Sequence, residues 1–380
     1  MDPEPFGDIP LFREIQRLLA SSGAGPLNLE IATQVATAVA TEGRTEEPIP
    51  SDLRTALNDT IRSSEAVLAG YTRLAFVEPL TGEALTRTAW VTKTLSSWRW
   101  LLERLATRFI DASSPSGEGE PVDQMTMVMK QVGPLLMGLQ IGTLVGQLAR
   151  EVVSGFDPAI PREGDDSIII VIPNVRAVAA DYDVAAADVV RVVVTQDVAR
   201  SLVVQRVPWV APYWRNLMSA LVDAIEIDTS ELERRLMDLQ SQGMEALQEG
   251  QMQPTLPLVP TAAHRAALDR VRAFVGLLEG YAAHATAAVG PELLGDVSRV
   301  DEAIARHRAT ASDAKEMLAS VLGFAVDRDL ATTGTTFCAA VEQLEGLPAL
   351  HRVWEAPDNL PTYDELKDPF VWIDRVVKQA

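Results

Sequence analysis

Apolar residues recur at helical spacing along most of this chain, a period that predicts a mainly α protein. In the segment 51–69, Leu53, Ala56, Leu57, Ile61 and Val67 fall near one face, behind a Ser51-Asp52 cap. Asn28 is placed to cap a helix running to about residue 40. Further helices are expected over 81–109, over a Met-rich stretch at 122–153, and over 185–204 and 212–225. Others follow over 229–249, behind a Ser230 cap, and over 261–288, with two or three shorter ones towards the C terminus. One run breaks the helical period. S-I-I-I-V-I-P at 167–173 is β-branched and bounded by polar residues, which reads as a strand. One strand makes no sheet, so a hairpin partner is expected close by, although the pattern does not place it. The expected architecture is a large helical domain with a minor β element.

Proline and glycine divide the chain into parts. Residues 1–26 read as an N-terminal extension, part loop, with a short helix around 11–19. Residues 41–50, the acidic stretch 111–121 and the Pro-rich 251–260 read as breaks. The remainder, 27–380, is expected to form a single helical domain in which 27–120 is a candidate helical subdomain.

Charge and composition narrow the function classes. Lys+Arg number 33 against 53 Asp+Glu, a net charge of −20, which argues against general affinity for nucleic acid or an anionic membrane. The single cysteine, Cys338, excludes an intrachain disulfide and reads as a buried, inert thiol. The acidic start M-D-P-E-P-F-G-D-I-P has neither a basic n-region nor an apolar h-region, so a cytoplasmic protein is expected. Residues 132–149 are apolar and carry Gly138, Gly142 and Gly146 at four-residue spacing, a pattern that brings membrane helices close together. Three glutamines (131, 140 and 147) interrupt the stretch and Lys130 and Arg150 flank it, so a tightly packed helix without a membrane span is expected.

Candidate chemistry concentrates at 189–210. Zincins carry H-E-x-x-H on a helix, with two histidines one turn apart as zinc ligands and the glutamate as general base. This register reads Gln196-Asp197-Val198-Ala199-Arg200, followed by Gln205-Arg206-Val207-Pro208-Trp209-Val210. Later come Glu279-Gly280-Tyr281 and a tail containing Trp354, Pro357, Leu360-Pro361-Thr362, Glu365-Leu366, Asp368-Pro369 and Trp372. With N-L-E-I-A from Asn28, these elements resemble a zincin-like type 2 metallopeptidase family of bacterial hydrolases. One branch of that family is associated with deazaflavin coenzyme biosynthesis. The resemblance implies a zincin-like arrangement in which Gln196 and Arg200 hold the metal-ligand positions and Asp197 the general-base position. It also implies that Glu279 faces them across a cleft and that Trp209 and Tyr281 are cleft neighbours.

The motif itself departs from that pattern. Glutamine is a weak neutral ligand for zinc, and arginine offers no lone pair and repels a dication. Aspartate is one methylene shorter than the general-base glutamate. No zinc cofactor is expected. Arg200 is expected to pair with Glu279 or Asp197, so that a fixed cation takes the place of the metal's charge. The competing reading leaves Arg200 in solvent and Gln196 bonded locally. His264, His284, His307 and His351 show no ligand spacing, and Trp90, Trp98 and Trp100 read as core or groove residues. Two functions follow. One is a degenerate family member without zinc-dependent catalysis, a binding or scaffold protein for a protein or peptide partner. The other is a hydrolase using Asp197 and Glu279 as a carboxylate pair.

Overall fold

The computed structural model describes residues 25–74, 78–112, 124–227, 258–259, 261–295, 297–310, 312–323 and 328–379. The helices expected near 11–19 and over 229–249 lie outside the described residues, as does most of the acidic stretch 111–121. The described chain is mainly helical, with small β elements. It begins with α1 (Leu29–Thr41), whose first turn is capped by Asn28 Oδ1 accepting from the Ile31 amide at 3.0 Å. Helix α2 (Ser51–Thr72) follows. Its N-cap is Pro50, which makes no side-chain bond, so Ser51 and Asp52 stand inside the first turn and do not cap it.

The single helix expected over 81–109 is instead three elements: β1 (Gly82–Leu85), α3 (Arg87–Ser97) and α4 (Arg99–Ala112). The Thr86 hydroxyl accepts from the Ala89 amide and starts α3 afresh after the strand. Helix α5 (Gln124–Glu151) then leads to β2 (Ile168–Val171). The missing partner of β2 is β1, paired in parallel with Gly82 opposite Ile168 and Leu85 opposite Val171. The expected hairpin is reduced to one antiparallel bridge, Ser154 with Ile170, whereas the laddered partner lies more than eighty residues upstream and runs in the same direction. Helix α6 (Ile172–Asp181), which the sequence pattern did not suggest, starts directly at the strand's end with Pro173 in its first turn.

Helix α7 (Ala186–Arg206) carries the Gln196–Arg200 register and is buried on nearly every side. It is followed by α8 (Val210–Asp223) and a two-residue antiparallel pair, β3 (Glu226–Ile227) with β4 (Leu258–Val259). The long α9 (Ala262–Leu293) carries Glu279 and is capped by Thr261 Oγ1, which accepts from the His264 amide. The C-terminal part consists of α10 (Ser298–Ala309), α11 (Asp313–Leu322), α12 (Arg328–Glu345), α13 (Leu347–His351), α14 (Tyr363–Lys367) and α15 (Pro369–Trp372). No described helix is long and apolar enough to cross a membrane.

Two close helix crossings organise this packing, and both depend on missing side chains. Helix α5 lays Gly138, Gly142 and Gly146 against α1. A Cβ on Gly142 would fall 2.7 Å from the Ala32 carbonyl oxygen, and one on Gly146 2.7 Å from that of Ala36. Ala32, Ala36 and Ala40 on α1 are fully buried in this seam. The four-residue glycine spacing therefore serves backbone contact between two helices, one of which carries Lys130 and Arg150. The second crossing sets α9 against α12. A Cβ on Gly280 would fall 2.1 Å from the Gly334 carbonyl carbon, and one on Gly334 1.8 Å from the Gly276 oxygen. Gly280 is the neighbour of Glu279, so this crossing also determines where Glu279 points.

The tryptophans expected in core or groove divide accordingly. Trp90 and Trp98 are buried edge to face at 6.1 Å, whereas Trp100 is half-buried beneath the Arg215 guanidinium. Cys338 is fully buried in α12, and burial pushes its thiol far above the usual range, which leaves it unreactive.

Alanine at Gly142 would ordinarily favour a helix by about 1 kcal/mol. At this crossing we expect Gly142→Ala to destabilise the fold by about 1–3 kcal/mol, the cost of overpacking against rigid backbone. The exposed Gly70 of α2 has open space where a Cβ would go, so Gly70→Ala should stabilise by about 0.5–1 kcal/mol. Urea denaturation of both variants checks the opposite signs.

Candidate functional site

Most of the buried surface of helix α7 is apolar, and Arg200 reaches from it towards α9. Arg200 is 2% exposed and Asp197 is fully buried. A buried guanidinium needs partners, and three are supplied. Arg200 Nε and Nη2 donate to the two carboxylate oxygens of Glu279 at 2.9 and 2.6 Å, a side-on fork. Nη1 donates to Asp197 Oδ1 at 2.7 Å, one turn back on α7. The Phe156 ring lies beneath the guanidinium, 5.9 Å from centroid to Cζ. Burial works against the charge on Arg200, but Glu279 and Asp197 outweigh it, so its pKa lies even higher than usual.

The loop after α5 supplies the second half of the network, and the small β element holds that loop. The Gly155 amide donates to the Ile169 carbonyl and the Val171 amide to that of Val153, so this segment is stitched to β2. Ser154 Oγ then donates to Asp197 Oδ1 at 3.3 Å. Asp157 folds back to accept from the Val153 and Ser154 amides at 2.6 and 3.0 Å. Arg308, near the end of α10, donates through Nε and Nη2 to Asp157 Oδ1 at 3.1 and 2.9 Å. Its Nη1 donates to Gln196 Oε1 at 3.0 Å. Gln196 and Arg200 are thus each tied to a different helix, Gln196 to α10 and Arg200 to α9.

Charge counting explains the titration of the set. Two guanidiniums, Arg200 and Arg308, face three carboxylates, Asp157, Asp197 and Glu279. Asp157 titrates low: burial alone would raise it, but Arg308 and the two backbone amides more than compensate. Asp197 is the carboxylate in excess. Burial, reinforced by the Asp157 charge, pushes it up to about 7 against the pull of Arg200, and its Oδ2 has no hydrogen-bond partner.

Gln196, Arg200, Glu279, Asp157 and Arg308 line one end of a cavity of ≈ 680 Å³ between α5, α7, α9, α10 and α12. Asp197 lies behind this wall. Tyr281 and Trp209, expected as cleft neighbours, do not line the cavity. Two residues past Glu279 the helix has turned, and Tyr281 is fully buried edge to face with Trp354 at 5.4 Å. Trp209 reaches the same tryptophan from the other side, its Nε1 donating to the Trp354 carbonyl at 3.2 Å. Both anchor the C-terminal segment behind the cleft. Ser154, Asp157 and Arg308 were missed from the sequence. None sits in a motif, and only the observation that Asp197 and Gln196 would need partners could have prompted a search for them.

Among the described residues, no group of three or more His, Cys, Asp or Glu is arranged to hold a metal ion. The zinc implied by the family resemblance does not fit the residues present. Of the two positions that the resemblance would make ligands, Arg200 carries a permanent cation and Gln196 an amide whose oxygen is committed to Arg308, and the Glu279 carboxylate is held in a fork by Arg200.

The model of the zincin-like metallopeptidase family matches residues 27–373, and the chain belongs to that family. Its fold is similar to the crystal structure of a protein from Chloroflexus aurantiacus described as a candidate hydrolase with a novel fold. The TM-score is 0.68 at 22% identity, over 92% of this chain and 98% of that one. At that identity the likeness speaks for the fold alone. No curated protein sequence matches the chain.

Removing Arg200 strands two carboxylates, one of them fully buried. We expect Arg200→Ala to destabilise by about 3–5 kcal/mol, read from urea or thermal unfolding. A loss below about 1 kcal/mol would contradict the buried geometry. Asp197 adds a pH dependence of definite sign. Its folded pKa, about 7, lies above the ordinary carboxylate value, so the folded state holds a proton that the unfolded chain has released. Its contribution to stability is therefore greatest below about pH 4 and is lost as the pH rises through 7. Asp157 acts with the opposite sign, at the acid end. Asp197→Asn should melt several degrees higher than the wild type at pH 8, a gap that narrows as the pH falls below 7 and closes by about pH 4.

Proposed function

Within a family whose chemistry runs through zinc, we propose that this member is a binding protein without zinc-dependent catalysis, which uses the relict cleft as its recognition site. The observation that carries this reading is the Arg200 fork. A guanidinium bonded to Glu279 and Asp197 supplies the positive charge that a metal supplies in a zincin, and supplies it permanently. It cannot activate water, because it has no open coordination position and does not give up a proton at physiological pH. The fold keeps the cleft and loses the reactive centre.

The hydrolase alternative draws support from one value, the Asp197 pKa near 7. General-base work also needs reach, within about 3 Å of the proton to be moved. Asp197 is fully buried and does not line the cavity, and both oxygens of its intended partner Glu279 accept from Arg200. Two carboxylates joined through one guanidinium do not work as an acid and base pair. The pairing therefore favours binding over catalysis. The deazaflavin association of one family branch is not carried over, since no residue of this cleft speaks for it.

Metal content tests the proposal. Protein purified without chelator should hold well under one equivalent of zinc by elemental analysis, and stoichiometric zinc would overturn the reading. The triple variant Gln196→His, Asp197→Glu, Arg200→His rebuilds H-E-x-x-H on a helix of the right geometry, with Glu279 released to act as third ligand. It should take up about one zinc with little peptidase activity, because the Arg308–Asp157 surroundings are not those of a metal site. A folded triple variant that takes up no zinc would show that this turn is not the metal register.

A further inference from the structure

The polar end of the cleft is not evenly satisfied, and what is left over points to a ligand. Gln196 Oε1 accepts from Arg308, which settles the orientation of the amide and leaves its Nε2 N–H groups without a partner among the described residues. Arg308 has five N–H donors, three of them engaged by Asp157 and Gln196, and 29% of its side chain is exposed. Two N–H groups on Arg308 and two on Gln196 remain for something else. Of the four neighbouring carboxylates three are in use, and Asp301, whose carboxyl is pushed up by burial, makes no side-chain hydrogen bond among the described residues. Glu279 is held by Arg200, Asp157 by Arg308 and two amides, and the Glu151 carboxylate accepts from Ser312 at 2.6 Å.

A second orphan lies two turns along α9 from Glu279, about 10 Å away. Thr286 lines the cavity, is 6% exposed, and its hydroxyl has no partner. A threonine inside a helix usually bonds the carbonyl four residues back, as Thr335 does to Ala331 at 2.9 Å on the opposite wall. Thr286 does not. Between the two polar points the wall is apolar, formed by residues such as Ala283, Ala287, Leu294, Ile304 and Leu318.

Charge limits what can enter. Arg200, Arg308 and Lys315 are answered by Glu151, Asp157, Glu279 and Asp301, all lining the same cavity, and Lys315 Nζ is spent on the carbonyls of Arg308 and Thr310 at 2.8 and 3.0 Å. No cationic excess remains to attract an anion. We propose that the cleft binds an uncharged, largely apolar small molecule whose carbonyl oxygen accepts from Gln196 Nε2 and Arg308, with a second polar group reaching Thr286. This rests on the reading of the cleft as a recognition site and adds the chemical class of its ligand. A cavity of ≈ 680 Å³ suits a molecule of drug or metabolite size.

Prodan, an uncharged naphthalene bearing a ketone, serves as the probe with the full-length chain. Its emission should shift to the blue with saturable, single-site binding. Gln196→Glu keeps the acceptor for Arg308 but removes the amide donors, and should weaken binding about tenfold, equivalent to about 1.4 kcal/mol. Thr286→Val, which removes the hydroxyl at constant shape, checks the far end and should weaken binding several-fold, even if Gln196→Glu fails to fold. Anilinonaphthalene sulfonate, an anion of similar size, should bind at least tenfold more weakly than prodan. Wild-type affinity in both variants, no saturable prodan binding, or preference for the sulfonate would overturn the assigned class. Ala287→Trp, which fills the cavity from an exposed wall position, should abolish prodan binding. If binding survives that variant the probe sits elsewhere, and the recognition-site reading fails together with this inference. If Ala287→Trp blocks binding while Gln196→Glu and Thr286→Val do not, only the ligand class fails.

Discussion

A guanidinium cannot be left alone in an apolar interior, and the centre of this molecule is arranged around that constraint. Arg200 projects from a helix whose other faces are packed with valine, leucine and alanine. Its charge is tolerable there because Glu279 on α9 and Asp197 on α7 accept from all three of its nitrogens. A bidentate fork tolerates little displacement, so α7 and α9 are held in one register and at one separation. Arg308 repeats the device one helix further out, joining Gln196 to Asp157 and thereby α10 to the loop behind β2. The network therefore acts as a brace between four parts of the fold.

The brace has a cost, which the structure places at Asp197. Three carboxylates against two guanidiniums leave one in excess, and the excess falls on the residue with no access to water. A buried ionic cluster of this kind is weak evidence for added stability, because an apolar set of equal volume often does as well. What it supplies is orientation: each member has a different helix or loop as its partner, so the cluster is satisfied in only one arrangement of those elements.

That arrangement is reachable because the backbones approach closely where side chains would prevent it. The glycine stripe of α5 lets α1 lie against it, and Gly276, Gly280 and Gly334 let α12 cross α9 with atoms in direct backbone contact. The second crossing lies one residue from Glu279. Close packing on one side of α9 thus fixes the direction of the carboxylate on the other, which links a packing device to the site. The parallel pair β1–β2 plays a comparable part. It is too short to be a sheet of its own, yet it pins the Ser154–Asp157 segment beneath α7.

Much of this was legible in the amino-acid order, and the reasons are local. Helical period and a cap such as Asn28 belong to short stretches of chain, so most of the described helices could be read, although 81–109 was joined into one and the helix at 172–181 was missed. The spacing of Gln196 and Arg200 already placed them on one face, and the chemistry of arginine already spoke against zinc. Other features depend on residues far apart in the chain. The strand at 82–85 was read as helix because four residues carry too little pattern, and only a parallel neighbour beyond residue 160 makes them a strand. Trp209 and Tyr281 were linked to the cleft by the family resemblance, whereas the chain carries both to the Trp354 side. Arg308, Asp157 and Ser154 had no signature at all. Sequence determines which groups must be neutralised and which faces must be buried. The partners that answer those demands come from distant segments, and tertiary packing alone decides which of them lie within hydrogen-bonding distance.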